Sequence, residues 1–475
     1  MNTSTETENI EFKASFTSAL EKEMRTLLAD PNYAGIVCAF YNRSYGKKSM
    51  TFLVCKLIPP VSQDGNVSGD LNLQLRYLNR VSKMAKTEDA GMVILRNVST
   101  TDGADIITSW IDSIPSDETF DPVCELMLDP EIGWVGTAWK VGTSNTKQKL
   151  SIIKVVGKSL QVWYDDVQRP KPAFREIYKR TFNVWGDQNH AKLARLRIGI
   201  VGLGSVGSIV AETLARIGIE RFVLIDFDEI QIHNLDRLLG ACEDDINKLK
   251  AAVADRQIRK AATAASIETN IVLCGVTEEE GYRNALDCDV IFSCVDRPWP
   301  RYVLNHIAYN HLIPVVDGGI GVRIDKESLK FDSADWQLQT VGPERICLQC
   351  LHSYESSDVG TEKEGLLDDP SYILGLPDDH EFKRNENIFP FSANLASLEV
   401  MQLIEMVTGI GNRDYYGIQR YHYNQGFISL DHDRVCEEGC LFKENVAVGD
   451  KVFPPPIGFD HSADAARKRQ SGGNN

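Results

Sequence analysis

The sequence predicts an α/β protein built on a doubly wound, mostly parallel sheet, with a smaller domain of α/β or α+β type ahead of it. Three observations predict this. Strand-like runs and helical patterns alternate regularly from about residue 171. One such run, Ile198–Val201, closes on the turn Gly202-x-Gly204-x-x-Gly207, and a helical pattern follows at once. The chain has 475 residues, too many for one core when a domain takes about 100–200.

Residues 1–170 alternate apolar segments (AGIVCAF, MTFLVCKLI, AGMVILRNV, GWVGTAWKV, LSIIKVVG, LQVWYDD) with helical stretches near SFTSALEKEMRTLLAD and LNLQLRYLNRVSKMA. That mixture predicts the smaller domain. The segment DVQRPKPAFREIYKR, rich in charge and carrying two prolines, marks its end. Across 171–450 the strands are RIGIVG, RFVLIDFD, SIETNIVLC, CDVIFSCVD and IPVVDGGI, with helices between them. Residues 451–475 are rich in Pro, Gly and polar side chains, which predicts a flexible, loosely held tail.

Composition removes several classes. A net charge of −16 works against a phosphate-backbone footprint, so no nucleic-acid partner is expected. The sequence contains no run of eighteen apolar residues, and its polar start does not read as a secretion signal, so no membrane association is expected. Eleven cysteines scattered over the chain are not a disulfide framework and fit a reducing cytoplasm.

The glycine turn aims backbone N–H groups and a positive helix end at a phosphate. With Asp226 about 20 residues on, at the end of the next strand, it reads alone as a Rossmann-like site for NAD or FAD. The residues beyond Asp226 choose differently. Asp228, Asn234, Arg237 and Lys250 follow on the loop and helix past the strand's carboxyl end, where doubly wound sheets bind ligands. Hydride transfer needs no Arg and Lys aimed at phosphates, whereas attack on a nucleotide's α-phosphate needs both to neutralise charge. Asp296 ends a later strand, where a carboxylate can hold Mg²⁺ or merely cap the next helix.

Over roughly residues 175–445 the chain resembles the ThiF, MoeB and ubiquitin-activating-enzyme family of adenylating enzymes. The motifs occur in order: YKR, then Gly186, Gln188 and Leu193, the glycine turn, Asp226-x-Asp228, Asn234-Leu-Asp-Arg237, Lys250, a strand ending CVD, IPVVDGGI and two cysteine pairs. The resemblance implies a ThiF-type adenylation domain in which Asp226 binds the ATP ribose. Asn234, Arg237 and Lys250 would contact the phosphates, and Asp296 would hold Mg²⁺. Arg180 would reach into a partner subunit's site, which implies a homodimer. Two positions depart from the family: Leu238 stands where Gln is frequent, and Asn247 where Gly is frequent in the turn before the lysine. Asn tolerates a left-handed turn, so the second change is mild.

Cys347-x-x-Cys350 and Cys436-x-x-x-Cys440 supply enough thiolates for a structural tetrahedral Zn²⁺, and the family carries such a site there. Ubiquitin-activating members also use a catalytic cysteine beyond the first pair. Residues 351–435 contain none, which leaves Cys242 as a remote acceptor and Cys294 as a core residue.

The first histidine is His190, so the N-terminal domain carries neither a JAB-type His-x-His nor the HPN motif of conjugating enzymes. Ser99-x-Thr101 with Ser109-x-x-Asp112 keeps the JAB spacing without its histidines, and a partner-docking role is the other reading. The expected function is ATP- and Mg²⁺-dependent adenylation of a ubiquitin-like protein's C-terminal carboxylate for transfer to a conjugating enzyme, in a cytoplasmic homodimer. Its wording resembles the activating enzymes of bacterial antiphage conjugation operons. The alternatives are adenylation of a peptide or sulfur-carrier protein, and a catalytically inactive nucleotide-binding scaffold.

Overall fold

The computed structural model describes residues 10–30, 36–61, 64, 71–97, 102–114, 121–141, 145–325, 328, 330–369, 372, 374, 386–411 and 417–472. They form two compact units. One is Met1–Pro170 with Asn310–Leu312 and Asn445–Val452; the other is Lys171–Tyr309 with Ile313–Glu444 and Phe453–Asn475. Among the described residues no helix is long and apolar enough to cross a membrane.

The first unit is a nine-stranded mixed sheet in the order β7-β6-β5-β4-β2-β3-β1-β8-β9. Its strands are β1 Glu11–Thr17, β2 Val37–Tyr45, β3 Ser49–Ile58, β4 Gly91–Asn97, β5 Val123–Asp129, β6 Gly133–Lys140, β7 Thr146–Lys149, β8 Ile152–Val156 and β9 Leu160–Tyr164. Side chains alternate between faces. Val37, Ala39 and Tyr41 join Val93 and Leu95 in one core, closed by Met24 and Leu28 of helix α1 (Ser18–Ala29). Cys38, Phe40, Met92 and Ile94 face the other core, closed by Leu78 and Val81 of α2 (Leu71–Thr87) and Ile107 and Trp110 of α3 (Asp102–Asp112).

The helix read from Ser15 begins later than expected, because Ala14 and Phe16 are fully buried in β1, between β3 and β8. Thr17 ends the strand and caps α1, its Oγ1 accepting from Leu20 N–H at 3.2 Å. Ser109 and Asp112 lie exposed on α3, while Ser99 and Thr101 fall outside the described residues.

The second unit carries an eight-stranded sheet, order β12-β11-β10-β13-β14-β15-β16-β17. These are β10 Arg197–Val201, β11 Arg221–Ile225, β12 Glu268–Val272, β13 Val290–Ser293, β14 Val315–Asp325, β15 Lys330–Val341, β16 Ile418–His422 and β17 Phe427–Asp431. From β12 to β14 the pairing is parallel, and from β14 to β17 antiparallel. The chain runs outward from β10 through β11 to β12, then returns to lay β13 and β14 on the other side. The order therefore reverses between β10 and β13, the topological switch point at which such sheets open a crevice at the strands' carboxyl ends.

Helices α4 Lys179–Ala194, α5 Ser205–Arg216, α6 Lys250–Ala261, α7 Glu279–Leu286, α8 Pro298–Asn310 and α9 Ser356–Lys363 connect or flank these strands. A long helix, Phe389–Thr408, packs Phe391, Leu395 and Leu398 against Trp336, Leu338 and Val206.

The expected loose tail is a correction. Residues His461–Gly472 form a helix whose Ala463 and Ala466 are buried, and whose Arg467 makes two hydrogen bonds to Glu278, at 2.9 and 3.0 Å. A helix held by small apolar residues and charge pairs shows no hydrophobic stripe in sequence, which is why composition reads it as unstructured.

Candidate functional site

The glycine turn sits at the switch point. Gly202 has φ +86°, and a Cβ there would lie 2.5 Å from the Cys294 carbonyl oxygen. At Gly207 a Cβ would meet the Gly202 carbonyl at 2.0 Å, so helix and turn pack backbone to backbone. Gly204 faces open space and caps α5, leaving backbone for a ligand to approach. The first helical bond closes from Ser208 N–H to Gly204 O at 3.0 Å, so the amides before it have no partner within the helix.

Asp226, nearly buried past β11, organises the turn. Its Oδ2 accepts from Leu203 N–H at 2.6 Å and its Oδ1 from Asp228 N–H at 2.7 Å. Burial pushes its carboxyl above the ordinary value despite the opposing charge of Lys250. Lys250, at the first position of α6, places Nζ 2.9 Å from Asp228 Oδ2. Burial alone would lower its pKa, but Asp226, Asp228 and Asp296 outweigh burial and raise it, so the ammonium stays charged.

The loop between β11 and α6 is fixed by a residue not singled out from sequence. Asp245, fully buried, accepts from Arg256 at 2.6 and 2.8 Å, from Lys248 at 3.0 Å and from Cys242 N–H at 3.2 Å. The Arg256 hydrogen bonds above all hold its carboxyl well below the usual carboxylate range. Asn247 has φ +67°, the left-handed turn expected of it. Leu238 packs on Ile230 and Val253, so an apolar contact occupies the position at which the family frequently has Gln.

The candidate residues are only partly brought together. Asp228, Asn234 and Lys250 line one cleft, with Ala466, Arg469 and Gln470 of the C-terminal helix. Asn234 Oδ1 also accepts from Gln231 N–H at 3.0 Å. Arg237 turns to its own loop, donating to His233 O at 2.7 Å and Asp236 Oδ1 at 2.9 Å. Asp296 is exposed past β13, two residues before α8, and its charge acts on Lys250. Arg180 is exposed on the first turn of α4 and does not line this cleft. No signal in the sequence pointed to Arg469 or Gln470.

The four paired cysteines converge: the sulfurs of Cys347, Cys350, Cys436 and Cys440 lie within 4.8 Å of one another. Cys347 Sγ and Cys440 Sγ are 3.7 Å apart, far beyond a disulfide but close to the ~3.8 Å edge of a tetrahedron with metal–sulfur bonds of about 2.3 Å. Backbone N–H groups of Cys347 and Cys350 donate to Cys436 Sγ at 3.2 Å and Cys347 Sγ at 3.3 Å, bonds that favour thiolates. The donor set fits zinc.

Residues 178–435, more than half the chain, match the model of the ThiF family. Among known proteins the chain is similar to the SAMP-activating enzyme E1 of Haloferax volcanii, 28% identical over 37% of this chain and 60% of that protein. It is also similar to the tRNA threonylcarbamoyladenosine dehydratase of Escherichia coli, 29% identical over 33% of this chain and 59% of that protein. The chain thus spans less than two thirds of the length of these relatives. A solved structure of E. coli MccB with ATP overlaps 56% of this chain and 74% of its own, with 18% identity and a TM-score of 0.42.

Proposed function

The chain belongs to the ThiF family, and from that membership we propose that it uses ATP to adenylate the C-terminal carboxylate of a ubiquitin-like protein, for transfer to a conjugating enzyme. The observation that carries the reading is the cleft on the loop beyond β11, which a nearly buried Lys250 and Asn234 both line. One carboxylate oxygen attacks the α-phosphorus, the bond to pyrophosphate breaks, and an acyl adenylate forms. The carboxylate is its own nucleophile, so the residues' task is alignment and neutralisation of the leaving charge rather than proton removal.

Lys250 would supply that charge and Asn234 a hydrogen bond, while Arg237 would have to leave His233 O and Asp236 to join them, and Gly202, Gly204 and Gly207 would give the phosphates room against the backbone. Each carboxylate oxygen of Asp226 has a second lone pair beyond the loop amides it accepts, so a ribose hydroxyl can still donate to it. Asp296, an exposed oxygen donor at the strand's mouth, would hold Mg²⁺, which would supply positive charge to neutralise the phosphates. Cys347, Cys350, Cys436 and Cys440 would hold a structural Zn²⁺. Exposed Phe174, Ile177 and Val184 flank Arg180, an apolar surface that supports a second copy there and a trans role for the arginine.

The purified protein is expected to exchange labelled pyrophosphate into ATP only when a ubiquitin-like protein with a free C-terminus is present. Exchange driven instead by a short peptide or a sulfur-carrier protein moves the substrate to those classes. Nucleotide binding without exchange makes the chain a scaffold, and substrate-independent NADH oxidation overturns the reading.

No thioester on this chain is expected. Burial, with the nearby Glu399 and Asp317 carboxylates, pushes the Cys294 thiol well above its ordinary pKa, and the Cys242 S–H points to Asp245 at 3.3 Å. After incubation with ATP and substrate, a non-reducing gel should show no reductant-sensitive adduct. Such a band, lost in Cys242→Ala, would make that cysteine the acceptor.

A further inference from the structure

The C-terminal helix brings to the cleft a cation that the motifs do not contain. It is fixed in place over most of its length. Asp460 accepts from Thr277 Oγ1 and caps the helix through Ala463 N–H at 2.9 Å. Arg467 grips Glu278, and Gln470 Nε2 donates to the carbonyl of Phe227 at 2.9 Å, the residue directly after Asp226. Ala466, Arg469 and Gln470 are spaced i, i+3, i+4, so they share the face turned to the cleft. Ala466 is buried and small, which lets the helix approach closely.

The basic run on this helix divides by partner. Arg467 pairs with Glu278, and Lys468 with Asp464 at 2.7 Å. The side chain of Arg469, between Lys468 and Gln470, makes no hydrogen bond or ion pair among the described residues, although it lines the same cleft as Asn234 and Lys250. A guanidinium offers a planar fork of donors suited to a phosphate's oxygens. A second cation on the wall of a cleft that already holds a charged lysine is favourable when an anion lies between them.

We propose that Arg469 is a phosphate-binding residue supplied in cis by the C-terminal helix, contacting the β- or γ-phosphate of the nucleotide in this cleft. The inference rests on the adenylation reading, and the two fail differently. Affinities of the full-length wild type, Arg469→Ala and Arg469→Lys for ATP and for AMP, measured by calorimetry, decide it. Arg469→Ala should weaken ATP by about 10-fold and leave AMP unchanged, with Arg469→Lys between. The thermal midpoint without nucleotide should not move, since the side chain is exposed. Unchanged ATP affinity in Arg469→Ala, or equal weakening of ATP and AMP, overturns this inference while the wild type still binds ATP. A wild type that binds neither nucleotide sinks the adenylation reading, and this inference with it.

Discussion

Lys250→Ala is expected to lower substrate-dependent pyrophosphate exchange by about 10²-fold or more, the loss typical of a preorganised charge-stabilising group. The site gives that number its reason. Lys250 is nearly buried against Asp228, and Asp226 and Asp296 also act on it. Alanine leaves these carboxylates unopposed where the adenylation proposal puts the phosphates, so the substitution would remove an attraction and expose a repulsion. Near-normal exchange would show that the phosphates lie elsewhere. The same variant tests Arg180, because a Lys250→Ala chain spoils its own site yet can still donate Arg180 to a partner. Mixed with Arg180→Ala, it should recover activity in heterodimers, and no recovery despite demonstrated subunit exchange would refute trans action.

The other large effect concerns the four cysteines. Stripping the metal, or making Cys347→Ser, should lower the thermal midpoint by about 10 °C or more, since structural zinc contributes its binding free energy to folding. The wild type should carry about one zinc per chain by elemental analysis. Cys347 is the informative choice because it is buried and its sulfur stands 3.7 Å from Cys440 Sγ. Serine in that place leaves a polar group facing three thiols with one ligand gone. An unshifted midpoint in metal-free protein would assign the cluster to reduced thiols without a structural metal.

The parallel half of the second sheet was legible because β10, β11 and β13 carry nearly unbroken apolar runs, the mark of strands buried on both faces, and β14 opens on a buried Val315–Val316 pair. The antiparallel half was not: β15 reads KFDSADWQLQTV and β17 FISLD, polar strands near an edge with no continuous run. Strand β5 escaped for a related reason, VCELMLD being only half buried. Among the candidate residues, order along the chain singled out Asn234 and Lys250, which line one cleft, and Asp226, which holds the loop amides of Leu203 and Asp228. It could not find Asp245, whose acidic neighbours look like a solvated turn, or Arg469, which reaches the cleft from more than 200 residues beyond Lys250. Such long-range placement depends on tertiary contacts that leave no local pattern.

The convergence of the two cysteine pairs has a bearing on how this chain can change over evolution. Residues 351–435 leave and return to one point, so whatever is inserted there forms a closed loop whose ends are already held together. Lengthening a flexible closed loop is thermodynamically cheap, about 0.6 kcal/mol for each doubling. The strands β10 to β13 lie wholly outside that segment, whereas the helix Phe389–Thr408, β16 and β17 lie within it. Length can therefore be added at the loops of this segment at little cost, provided that the helix Phe389–Thr408, which packs on Val206 of α5, keeps its place.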